Sequence, residues 1–369
     1  MSARSTFDKT LFVLVIILVT MGFFIFSSAS LGLLARDGAS FSSVAVGQFL
    51  FGIVGGGAAL FFTSSVHYRH WRQYAFYIFL GTICLTLLVF TPLGFTHGGA
   101  TRWISFGSFT VQPAEFLKIG YVIYLATWLS GMYRHSNSFL RGTLPFAGIV
   151  GFVGGIMLLQ PDTDTFAIMA LSGLAMFVTA GAKWRDVALI LLTGIVMVTA
   201  LAFARPYVMD RLTIFLHPES DPLGSGYQIQ QSLIAVGSGG VSGRGFGQSI
   251  QKFEYLPEPI GDSIFAVYAE EFGFIGSFVL IVLLSIFTFR GYKIATEAND
   301  LFGMLLVVGF MTLIVSQAFL NIAAMVGMAP LSGLPLPFIS HGGTALMATL
   351  ASIGIVLNVS KFKKTRTRS

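Results

Sequence analysis

Long apolar runs, each close to the length of a membrane-spanning helix, follow one another along most of the chain. A helix needs about 20 mainly apolar residues to cross the hydrocarbon core of a bilayer. Ten runs come close to this length, and we expect each to be a transmembrane helix: residues 11–34, 44–66, 74–91, 112–132, 144–160, 164–182, 186–204, 263–289, 301–327 and 342–360. The pattern predicts an all-α polytopic membrane protein that forms one integral membrane domain over residues 1–369.

Composition excludes a soluble domain. Hydrophobic residues make up 54% of the chain and charged residues only 10%, and the mean hydropathy is +0.80. The single cysteine, Cys84, lies inside an apolar run, so no disulfide forms within the chain, and the sequence shows no Cys/His pattern typical of a metal site. The first run is too long for a signal peptide and is interpreted as an uncleaved anchor.

Lysine and arginine are distributed unequally between alternate loops. If the N-terminus is cytoplasmic, fifteen of these residues fall in cytoplasmic segments and six in outer segments. Positive charge is enriched on the cytoplasmic side of membrane proteins, so we expect both termini in the cytoplasm. The same rule explains the net charge of +6 better than nucleic-acid binding does. It places the long loop 205–262 outside, where we expect short helices that lie on the membrane.

Five carboxylates lie close together where this outer loop enters the eighth apolar run: Glu254, Glu258, Asp262, Glu270 and Glu271. Asp262 is the candidate catalytic base, because an ionised carboxylate near the membrane surface can take a proton from an attacking hydroxyl. The alternative is an N-cap of the eighth helix, and the two roles are compatible. Glu254 and Glu258 either tune Asp262 or are solvated loop charges.

Glu115 and Lys118 form a second candidate group at the outer end of the fourth helix. Residues three apart share a helix face, so the pair either neutralises itself inside the bundle or leaves Lys118 as an anion-binding group restrained by Glu115. We also expect Lys118 to be a candidate helical partner for Glu270 or Glu271.

Several outer cations complete a candidate binding surface for a pyrophosphate leaving group. Arg244 lies in a Gly-rich segment that is either an anion-binding nest or a mobile loop, and His341 is either a site residue or a hydrogen-bonded structural residue. The full set of candidate substrate-binding residues is Arg102, Lys118, Glu115, Arg211, Arg244, Lys252, Glu254, Gln228, Gln231 and His341.

Five stretches, in matching order, resemble the SEDS family of shape, elongation, division and sporulation proteins. They are GATRWISFGSFTVQPAEFLK, LLQPD, GYQIQQSLIAVGSGGVSGRGFGQSIQK, EYLPEPIGDSIFAVYAEEFGFIG and GLPLPFISHGG. The resemblance covers nearly all ten predicted spans and is closer to the division branch than to the elongation branch.

The resemblance implies a peptidoglycan glycosyltransferase of the bacterial cytoplasmic membrane. Such a protein polymerises lipid II outside the membrane, releases undecaprenyl pyrophosphate and works with a class B penicillin-binding protein and other division or elongation proteins. The family's essential acidic residue falls on Asp262, and its other motif residues fall on Glu254, Glu115, Lys118 and Arg102. No cofactor is required by the pattern, although Mg²⁺ or Mn²⁺ could share the pyrophosphate charge.

The sequence departs from the family pattern at three places. Ile260 and Gly261 stand where relatives often carry His and Thr, Asp164 is an added acid in PDTDT, and His341 stands where relatives carry Tyr. A proton relay through a histidine beside Asp262 is therefore not expected. Two other functions stay open from the sequence: a transporter that moves lipid II across the bilayer, and a structural organiser of the division machinery.

Overall fold

The computed structural model describes residues 7–36, 44–97, 100–106, 109–132, 139–204, 206–221 and 224–363. Within these ranges the chain is mainly helical. The helices are α1 (Lys9–Arg36), α2 (Val44–Ser65), α3 (Tyr68–Leu87), α4 (Pro113–Gly131), α5 (Leu144–Leu159), α6 (Thr163–Thr179), α7 (Trp184–Ala204), α8 (Pro206–Leu216), α9 (Ser225–Ser238), α10 (Ile264–Glu297), α11 (Leu301–Met325) and α12 (Gly343–Ser360).

All ten predicted apolar runs coincide with helices, namely α1 to α7 and α10 to α12. Eight described helices are long and apolar enough to cross a membrane. α5 is counted together with the π-helical turn before it, as Phe139–Leu159. The apolar helix α6 has 17 residues, and neither it nor α4, which carries a buried acid and a buried lysine, is among the eight. The count of ten spans therefore stays a prediction.

Several boundaries differ from the prediction. α3 begins at Tyr68, six residues before the apolar run, because the polar turn of residues 68–73 continues the same helix. α10 extends to Glu297, beyond the predicted end at residue 289. Inside α2, Gln48–Gly55 is π-helical, a local widening that apolar periodicity does not reveal.

An antiparallel sheet of order β1-β2-β3 replaces the outer loop expected between the third and fourth spans, so the all-α prediction was wrong at this point. Its strands are β1 (Gly94–His97), β2 (Ala100–Phe106) and β3 (Phe109–Val111). Alternating β-branched, aromatic and polar residues in β2 favour a strand. Arg102 and Ile104 share a face of β2 because side chains repeat every second residue, and Ile104 is fully buried.

The helix α11 lies at the centre of the fold. It packs against α4, α6, α10 and α12, and most of its residues are buried. One interhelical hydrogen bond shows how closely it is held: the Ser172 hydroxyl on α6 donates to the Gly309 carbonyl oxygen at 2.8 Å. By contrast, α7 packs mainly against α8, and many of its large apolar side chains are exposed.

The loop 205–262 contains the short helices α8 and α9, as expected, followed by an irregular segment that inserts into a break in α10. Gly273 breaks the helix with φ 64°, a value that glycine adopts without strain. The N–H of Arg244 donates to the Glu270 carbonyl at 3.0 Å, and the N–H of Phe274 donates to the Gly240 carbonyl at 2.9 Å. The inserted segment thus satisfies backbone groups that the break leaves open. Arg205 lies outside the described residues.

Candidate active site

Asp262 lies in a turn just before the N-terminal end of α10. The backbone N–H groups of Gly261 and Ser263 both donate to the Glu258 carbonyl oxygen, at 3.0 and 3.3 Å. One carboxylate oxygen of Asp262 accepts hydrogen bonds from Gln228 Nε2 at 3.2 Å and from Ser263 Oγ at 3.4 Å. The N-cap interpretation was wrong, because Ser263 occupies the N-cap and makes no capping hydrogen bond.

Two effects oppose ionisation of this carboxyl group. Burial and, second, the negative charge of Glu258 raise the pKa of Asp262 to about 7. The hydrogen bonds from Gln228 and Ser263 act in the other direction. The side chain is partly exposed. A carboxyl group with a pKa near neutrality and some exposed surface has the strength required of a general base.

His341 supports the same turn through its main chain. Its N–H donates to the Ile260 carbonyl oxygen at 2.8 Å, and its ring stacks on Phe26 with 5.8 Å between centroids. Burial lowers the pKa of His341 to about 4, so the ring is neutral at pH 7. These contacts favour the structural interpretation of His341.

Glu115 and Lys118 form a buried pair, with Lys118 Nζ 2.8 Å from a Glu115 oxygen. Lys118 Nζ also donates to Gln317 Oε1 on α11 at 3.0 Å. All three residues line a small pocket between α4, α11 and α12. The expectation that Lys118 pairs with Glu270 or Glu271 was wrong. Sequence reasoning missed Gln317, although a glutamine within an apolar run is a signal in itself.

Arg102 reaches from β2 to the loop between α5 and α6. Its guanidinium donates to the Gln160 carbonyl at 3.4 Å and to the Pro161 carbonyl, and lies 3.7 Å from Asp162. Asp162 is the N-cap of α6: its carboxylate accepts from the Thr165 N–H at 3.4 Å. Burial raises the pKa of Asp162, and Arg102 acts against that shift.

Arg211 on α8 is paired with the added acid of the PDTDT motif. Its guanidinium lies 2.7 Å from a carboxylate oxygen of Asp164. The same carboxylate accepts a hydrogen bond from the Gly333 N–H at 3.3 Å. Asp164 therefore joins α8, α6 and the proline-containing segment before α12.

Glu270 and Glu271 hold the segment that inserts into α10. Glu270 accepts from Ser249 Oγ at 2.6 Å and from two backbone N–H groups, and lies 3.4 Å from Arg244 Nε. Glu271 lies 2.7 Å from Lys252 Nζ, and both side chains are buried. The position of Lys252 differs from the outer, substrate-facing place that the sequence suggested.

Every candidate cation among Arg102, Lys118, Arg211, Arg244 and Lys252 has a carboxylate within 4.0 Å. In the part of the chain that the structure describes, no basic side chain contacts the Asp262 carboxylate, which we expected to face several cations. Its polar neighbours are Gln228 and Ser263.

The remaining candidates, Glu254 and Gln231, lie in the loop 205–262. Glu254 is exposed, and Gln231 is partly exposed on α9. Gln231 follows Gln228 by three residues on the same helix, about one turn further along. The structure therefore brings Gln228 directly to Asp262 and places Gln231 one turn away.

Comparison with known proteins finds relatives that match almost the whole chain. The FtsW/RodA/SpoVE family model, described as a cell cycle protein, matches residues 8–365. Stage V sporulation protein E of Bacillus subtilis is 38% identical over 358 residues, covering 97% of this chain and 98% of that protein. A probable peptidoglycan glycosyltransferase FtsW of Geobacter sp. (strain M18) is 36% identical, covering 96% of each.

Solved structures of proteins that resemble this chain have a similar fold. A chain of a peptidoglycan synthase complex, in which polymerization and crosslinking are coordinated, matches with a TM-score of 0.78 and 27% identity over 96% of this chain and 97% of the other. The Thermus thermophilus rod shape determining protein RodA matches with a TM-score of 0.69 and 27% identity over 96% of each chain. The chain therefore belongs to the FtsW/RodA/SpoVE family, the SEDS proteins.

Proposed function

We propose that this protein is a peptidoglycan glycosyltransferase that polymerises lipid II at the outer face of the bacterial cytoplasmic membrane and releases undecaprenyl pyrophosphate. Relatives carry the name peptidoglycan glycosyltransferase. The observation that carries the proposal is the Asp262 carboxyl group, partly exposed at the outer end of α10 with its pKa raised to about 7.

In the proposed reaction, Asp262 takes the proton of the acceptor sugar hydroxyl while that oxygen attacks the anomeric carbon of the donor. The new C–O bond forms as the bond between the anomeric carbon and the pyrophosphate oxygen breaks, with inversion at that carbon. The electron pair leaves with undecaprenyl pyrophosphate. One base and nearby positive charge are enough for such a displacement.

The leaving pyrophosphate is assigned to Arg102, Lys118, Arg211 and Arg244. Each is paired with a carboxylate, so binding requires these cations to share or exchange that partner. Arg244 is the most accessible of the four, with a 37% exposed side chain and a 3.4 Å separation from Glu270. Lys252, which is buried against Glu271, is left out of the proposed contact set.

The proposed topology has ten spans, both termini in the cytoplasm and the loop 205–262 outside. The partner we propose is a class B penicillin-binding protein in the division machinery. A polymerase that works beside a crosslinking enzyme fits the similarity to a chain of a peptidoglycan synthase complex.

A divalent cation is a separate part of the proposal. The described residues contain no group of three or more His, Cys, Asp or Glu side chains placed to hold a metal ion. Mg²⁺ or Mn²⁺ would therefore be held mainly by the substrate pyrophosphate. Chelation with EDTA tests this, since the rate should fall and recover when either ion is returned.

The decisive experiment compares the wild type with Asp262→Asn in a purified enzyme supplied with lipid II, with glycan products resolved on a gel. The substitution keeps the size of the side chain and removes the base, so we expect loss of polymer. Glu219→Gln is the matched control, because Glu219 is an exposed acid on the same outer loop. Polymer at the wild-type rate from Asp262→Asn would refute the base role.

Transport of lipid II is separated by a second assay on the same preparations. Fluorescent lipid II is placed in one leaflet of liposomes that contain the protein, and its appearance in the other leaflet is followed. Scrambling without polymer formation would support the transporter instead, and no response in either assay would support a structural organiser.

A further inference from the structure

The backbone of the Asp262 turn is fixed by three donors from a different part of the chain. The Ile260 carbonyl accepts from the His341 N–H at 2.8 Å. The Gly261 carbonyl accepts from Ser340 Oγ at 2.6 Å, and the Asp262 carbonyl accepts from Asn321 Nδ2 at 2.7 Å. Three consecutive carbonyl groups are therefore held from one side, and the last belongs to the candidate base itself.

Asn321 differs from the other two donors because it is a fully buried side chain on the central helix α11. Its amide nitrogen donates one hydrogen bond to Asp262 and the second to the Leu334 carbonyl at 2.8 Å. Both partners are acceptors only, so the NH₂ group, and not the oxygen, must face them.

The oxygen Oδ1 of Asn321 has no hydrogen-bond partner. Leaving a buried acceptor without a partner destabilises the folded state. In this orientation both N–H donors of Asn321 reach the Asp262 and Leu334 carbonyls, while its oxygen is left without a partner. We call these two hydrogen bonds from Asn321 Nδ2 the fork. An asparagine is required here because its NH₂ group can donate to both carbonyls at once.

The same face of α11 carries a second amide one turn earlier. Gln317 Nε2 donates to the Pro335 carbonyl at 2.8 Å, and its oxygen accepts from Lys118. The two amides hold the neighbouring carbonyls of Leu334 and Pro335. α11 therefore ties the proline-containing segment to the Asp262 turn and to the buried Lys118 pair.

We propose that Asn321 is a positioning residue for Asp262: by holding the Asp262 and Leu334 carbonyls together, it fixes the backbone from which the catalytic carboxylate extends. This proposal rests on the proposed function. Reactions that depend on placement lose about 10²-fold in rate when a reacting group moves by about 1 Å, so the loss of the fork should be visible in kcat.

The test uses Asn321→Leu and Asn321→Ser in the full-length protein, with kcat and KM for lipid II measured across pH. Leu removes both donors, and we expect kcat to fall by about 10²-fold while KM changes less than about twofold. Ser retains one donor, so its kcat should lie between those of Asn321→Leu and the wild type.

A pH profile separates positioning from general damage. In Asn321→Leu the turn is free to move toward water, so the pKa of Asp262 should fall toward its ordinary value and the acid limb should move to lower pH. Glu258, the other charged group that raises this pKa, and the neutral ring of His341 are present in both proteins.

Asn358→Leu is the matched control. Asn358 is also a buried asparagine that joins a helix to backbone groups, accepting from the Tyr68 N–H at 2.8 Å and donating to the Ser64 carbonyl at 2.8 Å. It lies at the opposite end of the bundle from Asp262, near residue 360. We expect a lower melting temperature for this variant with an unchanged pH profile.

Three outcomes are informative. Wild-type kcat and pH profile for Asn321→Leu, with an inactive Asp262→Asn, would overturn the positioning role alone. A loss of activity for Asn321→Leu without movement of the acid limb, or with the same pattern in Asn358→Leu, would reduce Asn321 to a structural residue and also overturn it. An active Asp262→Asn would refute the proposed function instead.

Discussion

Asp262 carries its carboxyl group at a position where ionisation is opposed by burial and by Glu258. A glutamine and a serine supply its side-chain hydrogen bonds, and no arginine or lysine does so among the residues that the structure describes. A neighbouring cation would lower the pKa and weaken the group as a base. The separation of the cations from Asp262 is therefore consistent with its proposed role, even though the sequence suggested closer proximity.

The pH dependence of polymerisation follows directly. A base acts in its deprotonated form, so kcat should rise with pH with a midpoint near the pKa of about 7. In Glu258→Gln one of the two causes of the raised pKa is removed, and the midpoint should move to lower pH. Initial rates with lipid II from about pH 5 to about pH 9 check both expectations. A rate that is flat across this interval in the wild type would contradict the assignment.

The Asp262 carboxyl group should also make the stability of the protein depend on pH. Its folded pKa of about 7 lies above the ordinary value of 3.8. The stability that it contributes is therefore fully present below about pH 4 and is lost as the pH rises through 7. Asp262→Asn cannot ionise, so its melting temperature in detergent should exceed that of the wild type at about pH 8, and the difference should vanish near about pH 4. A lower melting temperature for the variant at both values would contradict this sign.

At the scale of elements, apolar run length was sufficient to predict the helices but not their interruptions. Each predicted run coincides with a helix because a segment that avoids water must satisfy its own backbone groups. The break at Gly273 was not visible, since the surrounding residues continue the apolar pattern on both sides. It depends on the Gly240–Gly245 segment, which is distant in sequence and supplies the missing hydrogen bonds.

In the candidate site too, contacts between residues distant in sequence could not be predicted. Asp262, Glu115 and Lys118 could be predicted as site residues, because each lies in a short polar motif at the end of an apolar run. Pairings across long separations did not follow from the sequence, such as Arg211 with Asp164. Asn321 could have been found, because a buried amide in an apolar helix one turn after Gln317 is itself a signal.

The buried Lys252–Glu271 pair connects the segment that inserts into α10 with α10 itself. Lys252 is fully buried, and Ser28 Oγ also donates to the Glu271 carboxylate at 2.6 Å. Lys252→Met leaves that carboxylate without its cation, and breaking a buried pair on one side costs about 3–5 kcal/mol. We expect a strong fall in melting temperature.

The double variant Lys252→Met with Glu271→Gln is the control for this prediction, since it removes both charges. Replacing a buried pair is often close to neutral, so the double variant should recover much of the lost stability. Equal melting temperatures for the single variant and the wild type would show that the inserted segment does not depend on this pair.

At the scale of the whole molecule, ion pairs lie at two separate levels of the bundle. In one group, Arg290 on α10 lies 2.6 Å from Asp8, and Arg69 on α3 lies 3.0 Å from Asp300 at the start of α11. The other group includes Arg211 with Asp164 near the loop 205–262. Buried pairs also involve the apolar helices α4 and α10, namely Glu115–Lys118 and Glu271–Lys252. Such a division suits two membrane surfaces. From the distribution of lysine and arginine, we propose that the level of Asp8 and Arg290 is the cytoplasmic one.

This assignment makes a prediction about chemical accessibility. The chain has one cysteine, Cys84, so Cys84→Ser gives a background without thiols into which single cysteines are placed. Glu219→Cys tests the outer loop and Lys293→Cys tests the opposite end of α10, both at exposed positions. A membrane-impermeant maleimide should label Glu219→Cys in intact cells and Lys293→Cys only after permeabilisation. The reverse pattern would place Asp262 on the cytoplasmic side, where an extracytoplasmic glycan polymerase could not use it.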